Sequence, residues 1–347
     1  MADVFASCDL VFDDASAAAL CLERIENDAD AARYQYEGGS VDNGYVSAEL
    51  EVFDGFDPAE FVAFLESQGA RGVLISVFDE SGEDEETFCR LNGKKAHAGS
   101  VRKAIEAAAP AYAATDALDH STTRKLKKLL DDGLDPNASA YKQSLVYQAA
   151  EKARRDNRFL KLLLEYGGDP NSVGSHFQWE PGCGAPQYES ALFCIVKDSK
   201  HARDEAEAAT VLDSVRLLLE HGADPNLTGR DAECSMLQLA AIAAPLPVLE
   251  MLLEAGTQGQ PQPESPLTDM RYAHHRYVKA VETLDKLRSD IDDDQNEFVI
   301  QANGQVQVAV GIIRRLLDAG VAPEVVDHDG TRLGLIVDLV PELNTNE

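Results

Sequence analysis

Apolar residues in the second part of the chain recur with helical spacing and stop at defined points. The clearest case is SVRLLLEHGADPN, from Ser214 to Asn226, in which a leucine stripe precedes Gly222. A glycine in that place can take the left-handed conformation that closes a helix, and the proline after it prevents the helix from resuming. The pattern predicts a short helix that ends at Gly222 and is followed by a turn.

This segment occurs in five copies of differing completeness. Their marker glycines are separated by 34, 55, 34 and 64 residues, which we interpret as a unit of about 34 residues with insertions near 172–207 and 258–305. A second signature, clearest at 235–241 and 331–337 and weaker at 190–196, begins with Ser or Thr and predicts a capped helix half a unit earlier. The marker glycines are Gly133, Gly167, Gly222, Gly256 and Gly320.

The first 100 residues lack this period. Runs of alternating or β-branched residues predict strands at 4–12, 32–37, 45–53 and 72–78, with helices at 15–26 and from Asp57 onward. The order β-α-β-β-α-β is that of a ferredoxin-like sandwich. We therefore expect a small acidic α+β domain over residues 1–100 and a helical array over residues 101–347.

The repeated segments resemble the ankyrin-repeat family over about residues 101–340. They echo its helix start T-P-L-H-x-A-A and its helix end L-L-x-x-G-A-D-x-N. The match is closest from Leu217 to Asn226, and no copy keeps T-P-L-H intact. The resemblance implies a mainly α fold, with an ankyrin-like helical-hairpin solenoid after the small N-terminal domain. It also implies protein recognition, as in a bacterial immunity-type or scaffold protein.

Charge narrows the possible partners. The chain has 31 Lys and Arg against 61 Asp and Glu, a net charge of -30. Residues 1–100 hold 6 basic and 22 acidic residues, or -16, which leaves 25 and 39, or -14, for the rest. Such a field repels nucleic acid and attracts a basic protein surface. The alternative is that the acidity only keeps the protein soluble.

The first insertion supplies candidate contact residues. It contains the chain's single tryptophan, Trp179, together with Phe177 and Tyr188, in a segment rich in Gly and Pro. Aromatic side chains on such a loop bury a large area on a partner at little entropic cost. The alternative is that Trp179 folds back onto its own repeat.

Two charged segments complete the predicted partner-binding surface. One is the acidic run between two predicted strands of the N-terminal domain, with Glu83, Asp84, Glu85 and Glu86. The other is the tip of the turn between two repeat copies, with Arg230 and Asp231. Partner contact at these positions would extend the surface that begins at Trp179.

The sequence offers no set of catalytic residues. There is no nucleophile elbow, phosphate loop or dinucleotide motif. His176, Cys183 and Cys194 have spacings that match no common zinc site, and Asp327-His328-Asp329 occupies a place where ankyrin turns carry Asp. We predict a protein that is not an enzyme and that needs no cofactor and no metal.

The composition also indicates the cellular compartment of the protein. No apolar run approaches the roughly 20 residues of a membrane span, and the N-terminus is acidic where a signal peptide is basic. Six scattered cysteines without CxxC pairs suggest free thiols. We expect a cytoplasmic protein that binds no membrane.

The resulting hypothesis is a protein-binding module that occludes a basic partner, for example a toxin or enzyme that handles nucleic acid. Two alternatives remain open at this point. The chain could be an adaptor that joins two proteins, one on each domain, or an enzyme whose N-terminal domain is catalytic.

Overall fold

A computed structural model describes all of the 347 residues except 1–3, 28–32, 43, 54, 80–85, 121, 141–142, 177–186, 229–233, 259–268, 292–293, 327–330 and 345–347. The chain divides into two compact units, residues 1–145 and 146–347. The first unit thus runs well beyond residue 100, where the sequence pattern places a boundary.

The first unit is built on one six-stranded antiparallel sheet in the order β2-β3-β1-β4-β5-β6. Its strands alternate between side chains that enter a core and side chains that face away, as the period of two in the sequence predicts. They are β1 (Val4–Val11), β2 (Tyr34–Asp42), β3 (Tyr45–Val52), β4 (Gly72–Asp79), β5 (Glu86–Leu91) and β6 (Lys94–Lys95).

Two helices, α1 (Ala15–Asn27) and α2 (Pro58–Ser67), cover one face of this sheet. The start of α2 follows the expected signal, because the Asp57 carboxylate accepts the backbone N–H of Ala59 at 2.8 Å and proline occupies the first turn. Ile25 of α1 and Leu65 of α2 are fully buried there. This face carries the larger core of the unit.

The opposite face is covered at one end by α3 (Ala98–Ala108) and α4 (Pro110–Asp119). Val101 and Ile105 of α3 pack with Val11, Tyr45 and Leu74 of the sheet. Residues 98–119 form two helices with a break before Pro110, and α3 packs on the sheet. The unit continues through α5 (Thr123–Asp131), β7 (Ser139–Ala140) and β8 (Gln143–Ser144).

These observations correct the expected fold class. A mainly α ankyrin-like solenoid with a small ferredoxin-like domain is wrong, because the chain is a mixed α and β protein with a six-stranded antiparallel sheet. A ferredoxin-like sheet has four strands with helices on one face. Here β5 and β6 extend the sheet, and helices pack on both faces.

The second unit is mainly helical and contains two short hairpins. In chain order it comprises α6 (Leu145–Lys152), α7 (Arg158–Glu165), β9 (Val173–His176), β10 (Gln187–Ser190), α8 (Ala191–Asp198), α9 (Glu205–Glu220), α10 (Met236–Ala243), α11 (Leu246–Glu254), α12 (Asp269–Asp290), α13 (Glu297–Asp318), β11 (Glu324–Val326), β12 (Arg332–Leu335) and α14 (Ile336–Leu339). The long helices α12 and α13 pack along each other.

The expected helix ends are confirmed. Gly222 has a φ of +92°, in the left-handed region, and its amide donates to the Leu219 carbonyl at 3.0 Å. The other four marker glycines have φ values between +81° and +102°. Two predicted helix starts are also confirmed, because Ser190 caps α8 and Ser235 forms a capping box with Gln238 on α10.

The last repeat departs from its expected form. Residues 331–337 were expected to begin a helix like the one at Ser235, but most of that segment forms β12, which pairs with β11. The single turn of α14 follows it, and Gly334 lies in the strand with a φ of +146°. Within the described ranges, no helix has the length and apolar character needed to cross a membrane.

Candidate protein-binding site

The hairpin of β9 and β10 flanks the segment that carries the predicted aromatic contacts. Its strands pair in register from Ser190 with Val173 to Gln187 with His176. Tyr188 lies on β10 and pairs with Ser175. Phe177 and Trp179, which the sequence also assigns to this contact, lie outside the described residues. The hairpin is therefore the described base of the candidate site.

The buried carboxylate of Glu189 holds the hairpin in position. Glu189 of β10 has only 5% of its surface exposed. One of its oxygens accepts the Tyr147 hydroxyl at 2.8 Å, and both oxygens accept the Lys197 ammonium at 2.6 Å. Because Tyr147 belongs to α6 and Lys197 to α8, this one side chain ties the hairpin to two helices.

Burial governs the chemistry around Glu189. A buried carboxylate is tolerated only when charge and hydrogen bonds replace its lost hydration, and Lys197 and Tyr147 provide both. Burial raises the pKa of Tyr147, and the nearby Cys194 and Glu189 raise it further, so the phenol keeps its proton and remains a donor. Burial likewise raises the pKa of the Cys194 thiol. A protonated buried thiol is inert, which favours a structural role for this group of residues.

Gly174 lets the hairpin approach this group closely. A Cβ atom at residue 174 would stand 2.0 Å from a ring carbon of Tyr147. The Tyr147 ring is completely buried, so it has little room to move aside. Glycine is thus required where β9 crosses the ring.

The second predicted contact segment starts beside the same hairpin. The Ser190 amide donates to the Thr228 carbonyl at 2.9 Å, and the Ser190 hydroxyl donates to the Leu227 carbonyl at 2.6 Å. Arg230 and Asp231, which were assigned to the partner surface, lie outside the described residues. Their described neighbour Thr228 is nevertheless bonded to the base of the hairpin.

The Asp-Pro-Asn endings have a structural explanation that the sequence did not give. In each of three copies, the Asp carboxylate accepts the backbone N–H of the Asn two residues later at 2.9 Å. The Asn side chain then reaches the next copy: Asn171 accepts the Asp224 amide at 2.7 Å, and Asn226 accepts the Gln258 amide at 2.7 Å. We call these two Asn contacts of the second unit the asparagine ladder.

Replacement of Asn171 by Ala should weaken the ladder locally. The variant loses the acceptor for the Asp224 amide and the donor to the Gly222 carbonyl, so we expect a loss of about 1 kcal/mol of unfolding free energy. Hydrogen exchange of the Asp224 amide should become faster. Asn303→Ala, at an exposed position on α13, is the control and should be neutral or slightly stabilising. An unchanged hydrogen-exchange rate of the Asp224 amide in Asn171→Ala would show that the asparagine ladder does not stabilise the turn at Asp224.

The predicted acidic contact of the first unit is only partly described. Glu83, Asp84 and Glu85 lie outside the described residues. Glu86 is exposed at the start of β5, where it pairs with Val77. It remains a candidate contact by its exposure and charge.

Sequence reasoning missed Glu189, Lys197 and Tyr147. Glu189 lies in the insertion predicted near 172–207, and a segment rich in Gly and Pro does not indicate a buried carboxylate. The described residues hold no cluster of three or more His, Cys, Asp or Glu side chains suited to a metal ion. Cys8, Cys21, Cys89 and Cys194 are free thiols.

Comparison with known proteins found no related family or sequence. No protein-family model matches the chain, and no curated protein has a significantly similar sequence.

Proposed function

We propose that this protein is a non-catalytic binding module of the cytoplasm that occludes a basic protein partner. The partner would be an enzyme or toxin whose own surface handles nucleic acid, and the chain would act as its inhibitor or immunity protein. The observation that carries the proposal is the net charge of -30 on a chain whose candidate contact segment is flanked by β9 and β10, which a buried ion pair holds in place.

The charge supports a basic protein as the partner. Acidic residues spread over both units create a field that accelerates encounter with a positive surface and repels phosphate backbones. A basic surface that binds nucleic acid already presents Lys and Arg arranged for phosphates. Carboxylates on this chain would meet the same side chains.

The hairpin supports a contact of high affinity. Glu189, Lys197, Tyr147 and Ser190 anchor the hairpin strands to α6, α8 and the chain at Leu227. A binding loop on a fixed base loses less conformational freedom on binding, so more of the contact energy appears as affinity. Trp179 is the aromatic residue best suited to such an anchor.

The proposal is tested by capture of the partner and substitution of Trp179. The tagged full chain, isolated from its own cytosol at low salt, should retain a basic protein in equimolar amount. With that protein purified, Trp179→Ala should weaken binding at least about tenfold. Phe298→Ala removes another exposed aromatic residue, 62% exposed on α13, and should leave binding unchanged. Equal binding by wild type and Trp179→Ala would contradict the proposed contact.

A further inference from the structure

One face of the sheet in the first unit is only partly covered by helices. At one end α3 and α4 pack over Val11, Tyr45 and Leu74. Toward the other end the same face presents partly or fully exposed side chains that belong to neither hydrophobic core, including six on β1, β3 and β4. We call this set the open face: Phe5, Ser7, Glu49, Glu51, Ser76 and Phe78.

An aromatic pair forms part of the open face. Phe5 of β1 and Phe78 of β4 are directly opposite each other in register. Their ring centroids are 6.1 Å apart and their planes differ by 28°, so the rings stack. Both rings keep some exposed surface. Aromatic faces carry a negative quadrupole that attracts a cation placed above them.

Two carboxylates stand beside this pair. Glu51 of β3 is opposite Phe5 in register, and Glu49 is opposite Ser7. Side chains directly opposite on neighbouring strands are about 5 Å apart at Cβ, so Glu51 is next to the Phe5 ring. Neither glutamate side chain has an ion pair or hydrogen bond in the part of the chain that the structure describes.

The glutamates are also close to each other. They are two residues apart on one strand and point to the same face, about 7 Å from each other. Like charges at this separation repel, and a cation between them would relieve the repulsion. The Ser7 and Ser76 side chains pair across β1 and β4 in the next row, where their hydroxyls can accept hydrogen bonds.

We propose that the open face binds an arginine-bearing segment of a basic protein partner, with a guanidinium group over Phe5 and Phe78 and in contact with Glu49 and Glu51. Arginine fits better than lysine, because a planar guanidinium stacks on an aromatic ring while its N–H groups pair with carboxylates. The inference rests on the proposed function and adds a second contact surface to it.

A defined peptide tests the site without knowledge of the partner. The full chain is titrated at physiological salt with a blocked hexa-arginine peptide, and backbone amide NMR shifts are followed. The largest shifts should fall on β1, β3 and β4 around the open face. Glu49→Gln/Glu51→Gln should weaken this peptide site about fivefold or more, and hexa-lysine should bind it more weakly than hexa-arginine.

Two further variants separate this site from general attraction to an acidic protein. Phe5→Leu/Phe78→Leu keeps apolar volume but removes the aromatic faces, so it should also weaken the site. Glu23→Gln/Glu60→Gln removes the same charge from exposed positions on α1 and α2, which cover the other face, and should change binding less than about twofold. Equal weakening by both Glu to Gln pairs, or shifts that avoid β1, β3 and β4, would overturn the proposal.

The natural partner then distinguishes this inference from the proposed function. A captured partner that needs Trp179 but binds Glu49→Gln/Glu51→Gln as tightly as wild type would overturn the open-face site and leave the proposed function standing. A partner that loses affinity in both variants supports the two together.

Discussion

Replacement of Glu189 by Ala should destabilise the second unit by about 3 to 5 kcal/mol. The variant leaves the Lys197 ammonium without its carboxylate and the buried Tyr147 hydroxyl without that acceptor. Breaking such an ion pair at one partner costs more than the pair contributes when intact, because the Lys197 side chain is only 29% exposed and regains only part of its lost hydration. Urea unfolding, followed by fluorescence of the single tryptophan, measures the loss.

Two further substitutions test whether the lost ion pair causes this destabilisation. Glu189→Gln keeps the size of the side chain and an acceptor for Tyr147 but removes the charge that faces Lys197, so it should cost about 1 to 2 kcal/mol. Glu220→Ala removes an exposed carboxylate at the end of α9 that has no ion pair within the described ranges, and it should cost less than about 0.5 kcal/mol. If Glu189→Ala costs no more than Glu220→Ala, Glu189 does not hold the hairpin.

Replacement of Gly174 by Ala should destabilise the same unit by about 2 to 3 kcal/mol. The added methyl group would lie 2.0 to 2.4 Å from three ring carbons of Tyr147. Either the ring or β9 must then shift, and a shift of the ring disturbs its hydrogen bond to Glu189. Urea unfolding gives the size of the loss.

Gly304→Ala is the matched control for this substitution. Gly304 lies within α13, where a new Cβ would meet no atom within 4 Å. Alanine favours a helix over glycine, so this variant should gain about 0.5 to 1 kcal/mol. A Gly174→Ala protein as stable as wild type would show that the close packing against Tyr147 is not required.

The sequence predicted the local structure of the second unit well. Helix ends at Gly222 and its counterparts follow from one residue type at one position, and the capping of α8 and α10 follows from Ser190 and Ser235. These features depend on interactions within a few residues, so the sequence pattern contains them. The Asp to Asn contacts within each turn are equally local, although they were not predicted.

Long-range packing could not be predicted in the same way. The apolar stripe of α3, with Val101 and Ile105, looks the same whether it faces another helix or a sheet, and the structure places it on the sheet. Glu189 and Lys197 are eight residues apart in two different elements, so only the folded hairpin and α8 bring them together. Their contact has no local signature in the sequence.

The open face was also beyond sequence reasoning. Phe5 and Phe78 are 73 residues apart (78 minus 5), and their stacking depends on the antiparallel register of β1 and β4. A shift of one residue in that register would turn one ring to the other face of the sheet. The predicted strands were close to the observed ones, but the face of each side chain follows from the pairing.

The proposed function depends most directly on electrostatic recognition of a basic protein. The decisive measurement is the association rate of the captured partner with the full chain over a range of salt concentrations. We expect a rate that falls steeply as salt rises, because the charge of -30 steers the encounter and salt screens it. A rate that stays constant across that range would contradict recognition through charge.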